Sequence, residues 1–383
     1  MAVPHLCHMF STFATGGPQV RTASIIDALD GRFRHTIVAL DNNFAASKLV
    51  SDSASVQFVA PPPGKGGAAY SLTLRRLLKQ LRPDLLVTYN WGAMDGVIAA
   101  QIGRVCPVVH TEDGFGPDEV SALKKRRVLV RRWALRFIAG TVVPSKTLQR
   151  IAAEEYRLPR ERVFYIPNGI DVARFTGGSR DESRRSLGLP ANALVIGSVG
   201  ALRPEKNLSA LIEAFASLTV ADSWLVIAGD GPSRQGLQET AARLGVADRV
   251  RFSGHVSDTP ALYSALDIFA MSSSTEQLPM ALLEAMASGL PCLCTDVGDS
   301  ADALGTRSAP EIVPPHAPDA YRSALSELAS SPAARQAIGA RNRERCTRNY
   351  SGDDMVRRYA EVYEAGIGRS YQDRFVPAPT PGA

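Results

Sequence analysis

Ser272-Ser-Ser-Thr-Glu-Gln-Leu-Pro-Met-Ala-Leu-Leu-Glu284 is the stretch on which the reading of the whole chain turns. Just ahead of it, Asp267-Ile-Phe-Ala-Met271 is an apolar run of strand length. A polar turn follows, and Pro279 suits the first position of a helix, where its missing N–H costs nothing. Backbone N–H groups around Leu278 to Met280 then face outward with the positive end of the helix dipole, which makes an anion site. Glu276 stands just before that end, and Glu284 lies one to two turns into the helix. A carboxylate repels phosphate but accepts hydrogen bonds from sugar hydroxyls. Two glutamates flanking a helix start therefore suit a ligand with a central diphosphate and a polyol on each side, the chemistry of a nucleotide-sugar. The plain alternative is an ordinary helix with one acid near its start and another on its wet face. The strand–turn–helix context weighs against that alternative.

Length and composition bound the answer. A chain of 383 residues is too long for one small domain, so two α/β domains are expected. With 45% apolar and 21% charged residues it is neither fibrous nor disordered. Cys7, Cys106, Cys292, Cys294 and Cys346 are odd in number and form no Cys-x-x-Cys pair, which points to buried free thiols in a reducing compartment. Residues 1–10 lack the basic start and apolar core of a signal peptide. No apolar run reaches the roughly 18 residues of a membrane span. A cytoplasmic location is the expectation. Charge is uneven: residues 1–170 carry 22 Lys and Arg against 13 Asp and Glu, and residues 171–383 carry 21 against 25. A basic first half fits nucleic acid, a membrane surface or an anionic substrate.

Glu276, seven residues and Glu284, followed by Ala285-Met-Ala-Ser-Gly-Leu-Pro-Cys292, resemble the paired-glutamate signature of retaining glycosyltransferases of family 4. The resemblance implies the GT-B fold, two Rossmann-like α/β domains facing each other across a cleft. It also implies transfer of a sugar from a UDP- or GDP-linked donor with retention of configuration and without a metal or other cofactor. Two rivals stand beside it. One is a GT-B nucleotide-sugar 2-epimerase, which needs no acceptor. The other is a non-catalytic two-domain sugar-binding protein, disfavoured by Glu276, Lys206 and the missing signal peptide.

The first half reads as strands at 3–8, 35–40, 56–59, 84–88, 107–111 and 141–143, alternating with helical patterns at 68–81, 93–102, 119–138 and 145–155. That alternation predicts a parallel, doubly wound sheet. After the first strand comes Gly16-Gly17, a turn that admits close approach of a phosphate; by resemblance this pair meets the donor's diphosphate. His110 closes a strand where ligands of open α/β sheets bind, and by resemblance it contacts the donor sugar. The acids Glu112, Asp113, Asp118 and Glu119 follow, suited either to acceptor hydroxyls or to capping the next helix. In 121–137 seven of seventeen residues are Lys or Arg, interleaved with Leu, Val, Trp133 and Phe137. A basic amphipathic helix of this kind docks on an anionic membrane, or packs inward with a solvated basic face. No motif supports nucleic-acid binding. The acceptor expected from this is a lipid or lipid-linked glycan, met by an enzyme peripheral at the inner face of the membrane.

Residues 163–171 resemble the family's exit from the first domain, which is placed at 1–172. Residues 174–190 read as a linker or surface helix, and the second domain as 185–350. There the strand 193–199 leads to Gly200-Ala-Leu-Arg-Pro-Glu-Lys206, and Lys206 suits a diphosphate. The family's companion Arg position falls on Ala201, with Arg203 two residues later. Gly229 follows the strand 224–228, and Val256 lies in the loop that by resemblance cradles the nucleobase through its backbone. Leu278, Pro279, Met280 and Glu284 complete the donor set, Glu284 on the ribose side. A helix at 351–370, with Met355, Tyr359 and Val362 on one face, is expected to return to the first domain, and the tail 371–383 to be disordered.

Overall fold

The computed structural model describes residues 3–115, 119, 123–305 and 309–368. Asp118, Ser121, Ala122 and the tail from Tyr371 lie outside the described residues. The chain divides into two units, Met1–Pro167 with Asp354–Ala383, and Asn168–Asp353.

The first unit holds β1 (His5–Phe10), β2 (Arg34–Ala39), β3 (Val56–Val59), β4 (Leu85–Tyr89), β5 (Val108–Thr111), β6 (Gly140–Val143) and β7 (Val163–Tyr165). Between them run α1 (Gly17–Ala28), α2 (Ala68–Leu81), α3 (Met94–Gly103), α4 (Lys125–Ala134) and α5 (Lys146–Glu154). All strand pairs are parallel, in the order β3-β2-β1-β4-β5-β6-β7. The central strands β1, β4 and β5 are buried along their whole length, as a sheet covered on both faces requires, whereas the edge strand β3 is partly exposed. Four buried histidines, His5, His8, His35 and His110, interrupt this apolar layer. His8 lies 2.9 Å from the Tyr89 hydroxyl and 3.0 Å from His35, and His5 lies 2.7 Å from the Thr36 hydroxyl.

The second unit holds α6 (Arg180–Leu187), β8 (Leu194–Val199), α7 (Leu208–Ala216), β9 (Ser223–Ala228), α8 (Arg234–Arg243), β10 (Val250–Gly254), α9 (Thr259–Ser264) and β11 (Ile268–Met271). It continues through α10 (Met280–Ala287), β12 (Cys292–Thr295), α11 (Ser300–Leu304), β13 (Ile312–Val313), α12 (Pro318–Ser330) and α13 (Pro332–Asn349). Its sheet is also parallel, ordered β10-β9-β8-β11-β12-β13. α14 (Gly352–Ile367) then buries Met355, Tyr359, Val362 and Tyr363 in the core of the first unit. All five cysteines are buried free thiols.

One boundary departs from the sequence reading. The first unit ends at Pro167, because Ile170 already pairs with Tyr350 and Gly352 in the second. Of the two readings of 174–190, the surface helix is the one found, at Arg180–Leu187, and within it Arg184 is fully buried, donating to the carbonyls of Ala265, Ala191 and Ala193 and pairing with Asp267 at 2.7 Å. That pairing ties α6 to the start of β11.

Candidate active site

In the second unit the strand order reverses between β8 and β11, which lie side by side with Ile196 opposite Ile268. At such a reversal the loops leaving the two carboxyl ends diverge and leave a crevice between them. The loop after β8 ends in a single 3-10 turn, Pro204–Lys206. The loop after β11 runs from Ser272 to Pro279. The Ser272 hydroxyl, 3.0 Å from each of the carbonyls of Lys206 and Asn207, binds the two loops together, and the Ser274 N–H donates to Glu205. This brings the Lys206 ammonium against Glu276 Oε1, and the Ser273 hydroxyl donates to the same oxygen at 2.8 Å. Lys206 is 27% exposed and Glu276 12%. Both line a pocket with Gly200, Ala201, Ser273 and Pro279.

Pro279 is the cap of α10 and not its first residue. Its backbone is extended (ψ 131°) while its carbonyl accepts the first helical bonds, from Leu282 and Leu283. Leu278 is buried, and its carbonyl accepts from the Asn168 amide at 2.7 Å. Met280 opens the helix and is partly buried against the core. Glu284, one turn in, is half-buried. Burial pushes its carboxyl up, and the Tyr263 hydroxyl and the Arg174 charge pull part of the way back. Val256 packs against the same core as Leu278. Arg203 points outward, 58% exposed and 3.9 Å from Glu205, whereas Ala201 lines the pocket. Gly229 has φ 133°, and a Cβ there would lie 1.9 Å from the Gly200 carbonyl oxygen, so only glycine permits this approach.

Three supports of the Glu276 loop carried no sequence signal strong enough to single them out. The Thr295 hydroxyl donates to the Ser273 carbonyl at 2.6 Å, and the Asp299 N–H to Gln277 at 2.7 Å. Gly298, at φ 56°, leaves room for the loop: an added Cβ would sit 2.3 Å from the Glu276 carbonyl oxygen. In the sequence these residues read only as the end of a strand and a turn.

In the first unit, Gly16 caps α1 and Gly17 opens it. His110, at the carboxyl end of β5, is fully buried, with Nδ1 2.8 Å from the Thr88 hydroxyl and Nε2 3.6 Å from Glu112. Glu112 accepts from Arg131 at 2.8 and 3.2 Å, and Asp113 from Arg21 at 3.0 Å. Burial alone would raise the Glu112 carboxyl, but the Arg131 guanidinium, with His110 adding, holds it below the ordinary range. Both acids thus neutralise buried arginines, a role that the sequence reading did not include. Arg131 also reaches Glu119, and with Arg127 it lies over the Trp91 ring at 5.1 and 5.0 Å.

That placement corrects the reading of the basic segment. Regular helix spans Lys125–Ala134, with a 3-10 turn at Leu135–Phe137, and Arg131 belongs to its inward face. Its outward face presents Leu129 (60% exposed) and Trp133 (57%), flanked by exposed Lys125, Arg126 and Arg136.

Comparisons place these features among known proteins. The family described as Glycosyltransferase Family 4 matches residues 15–174, and Glycosyl transferases group 1 matches residues 179–345. The D-inositol 3-phosphate glycosyltransferases of Salinispora tropica and Salinispora arenicola are each 31% identical over 74% of this chain, which spans 64% and 69% of their lengths. The UDP-Gal:alpha-D-GlcNAc-diphosphoundecaprenol alpha-1,3-galactosyltransferase of Escherichia coli is 31% identical over 59% of this chain and 61% of its own length. Among solved structures, Anabaena HepE in complex with UDP-glucose superposes with a TM-score of 0.81 at 20% identity, over 94% of this chain and 99% of that one. That likeness shows the fold alone.

Proposed function

The chain belongs to the family 4 glycosyltransferases, of GT-B fold, and from that premise we propose that it moves a sugar from a UDP- or GDP-linked donor to a hydroxyl of a lipid or lipid-linked glycan, with retention at the anomeric carbon. The observation that carries the reading is the Lys206–Glu276 contact in the crevice where the strand order reverses. A cation and a hydrogen-bond acceptor side by side match a phosphate joined to a polyol. Lys206 stabilises the departing diphosphate, with Arg203 at hand from the same loop. Glu276 accepts from sugar hydroxyls and Glu284 from the ribose. Gly16 and Gly17 admit the diphosphate closely, while Gly229 and Val256 shape the nucleoside side.

In this reaction the anomeric C–O bond to the terminal phosphate breaks and its electron pair leaves on the diphosphate. The acceptor oxygen bonds to the same face of the anomeric carbon, and its proton passes to the leaving phosphate oxygen. Atoms and charge balance without a metal or a dedicated protein base. A preorganised donor facing a developing anion is worth about 2.7–4 kcal/mol.

The E. coli relative, whose name specifies a diphosphoundecaprenol acceptor, supports a lipid-linked acceptor here. The outward face of α4 supports a membrane surface as the meeting place. Its Leu129 and Trp133 enter the headgroup region while Lys125, Arg126 and Arg136 meet anionic lipid, at roughly 1 kcal/mol per cation. Among the described residues no helix is long and apolar enough to cross a membrane, so contact would be peripheral.

The test is to incubate the protein with UDP- and GDP-linked sugars, in EDTA, beside anionic vesicles carrying polyprenyl-diphosphate sugars or glycolipids. Expected are a glycosylated lipid with the donor's anomeric configuration and free nucleoside diphosphate. An inverted linkage, or activity restored only by Mg²⁺ or Mn²⁺, would contradict the mechanism. A new sugar nucleotide formed without acceptor would favour the epimerase. Vesicle binding that ignores lipid charge and salt, or survives Lys124, Lys125 and Arg126 changed to Gln, would remove the membrane part.

A further inference from the structure

We propose that Glu276 drives release of the nucleoside diphosphate product by competing with it for Lys206, so that the site discriminates an intact nucleotide-sugar from the spent nucleotide. This rests on the donor-site reading above. Lys206 is held by Glu276, and the Ser273 hydroxyl donates to the same carboxylate oxygen, which fixes that oxygen on the lysine. The other cation of this loop, Arg203, lies beside an acid of its own, Glu205. The four side chains therefore sum to zero formal charge, so a diphosphate is not drawn in by any net positive field from them.

A nucleotide-sugar overcomes this in a way that a bare nucleotide does not. Its phosphate takes Lys206, and its sugar hydroxyls donate to the Glu276 carboxylate that has lost the lysine. Both partners of the ion pair are then satisfied. Transfer leaves the electron pair of the broken C–O bond on the diphosphate and carries the hydroxyls away. Once the phosphate has released the acceptor's proton to water, its second pKa being about 6, Glu276 faces added negative charge with no donor in exchange, and its return to Lys206 displaces the phosphate. The pair is only partly exposed, so this competition is worth more than that of a fully solvated ion pair.

The experiment measures nucleotide affinity and not turnover. UDP, GDP and ADP are titrated into the wild-type protein, Glu276→Gln and Glu276→Asp, using whichever nucleotide binds the wild type best and its glucose conjugate. Removing the charge should tighten the nucleoside diphosphate by roughly threefold to tenfold. The glucose conjugate should gain less or lose affinity, and the advantage should shrink at high salt. Glu276→Asp keeps the negative charge and should stay near wild type, which separates charge from packing. Equal or weaker nucleotide binding by Glu276→Gln, or equal tightening by Glu276→Asp, overturns the release role alone. If none of the three nucleotides binds the wild type, the donor-site reading falls as well.

Discussion

At the carboxyl edge of its sheet, the first unit keeps its ion pairs out of water: Arg131 with Glu112, and Arg21 with Asp113. The same edge of the second unit leaves Lys206 and Glu276 partly wet. Breaking a buried pair strands a lone charge in a medium of low dielectric, whereas a partly exposed pair exchanges partners at smaller cost. One edge is thus built to hold its shape and the other to trade partners with a ligand.

The largest expected effect tests the first half of that contrast. Arg131→Met should cost roughly 3–5 kcal/mol of stability, because Glu112 remains buried without its cation, although Glu119 keeps Arg127 at 2.9 Å. Glu276→Gln should change stability by less than about 1 kcal/mol. Hydrogen exchange resolved by unit would read both, and equal losses would break the comparison. On the ligand side, Lys206→Ala should lower kcat by about 100- to 1,000-fold, or ~2.7–4 kcal/mol, while leaving exchange in the first unit unchanged. A variant keeping more than a tenth of wild-type kcat would remove Lys206 from the leaving-group role.

Acid should separate the units next. Burial lowers His5, His8 and His35, the last to about 4. Their contribution is complete above the unfolded value near 6.5 and is lost as pH falls below it, for His35 by about 3 kcal/mol on approaching pH 4. Glu112, held low, adds a loss of the same sign in still stronger acid. Glu284 is raised by burial, so its effect runs the other way: it favours folding at low pH and opposes it as pH rises through its shifted value. Between pH 6.5 and 4 the first unit should therefore lose exchange protection before the second, and the reverse order would refute the assignment. The smallest effect concerns Glu284→Gln. A ribose contact changes little during reaction, so donor KM should rise by the equivalent of about 0.5–1.5 kcal/mol with kcat nearly intact. A loss confined to kcat would place Glu284 at the sugar instead.

The strand–helix alternation, and with it the central strands of both sheets, was legible in the sequence, because each is a short apolar run bounded by turn residues; the edge strands β7 and β13 were not. So was the segment that supplies Lys206 and the one that supplies Glu276. What the sequence hid were pairings between distant positions. Arg131 looked like one of seven surface cations until Glu112, nineteen residues away, took it into the core. Arg21 and Asp113 are 92 residues apart. Arg184 sat in a polar stretch that read as a linker or surface helix, yet it is buried and anchors to Asp267. Charge patterning gives composition along the chain, and only the fold decides which charges meet out of water. Gly298 escaped for a related reason: its need for glycine comes from the Glu276 loop pressing on it, not from its own neighbours.

The central claim is that Lys206 and Glu276 form the seat of a nucleotide-sugar, and calorimetric titration with UDP, GDP and ADP tests it most directly. The account predicts that at least one of these binds the wild type at one site per chain, and that Lys206→Ala weakens it at least about tenfold, or ~1.4 kcal/mol. Binding unchanged in Lys206→Ala, or no binding of any of the three to the wild type, would contradict it.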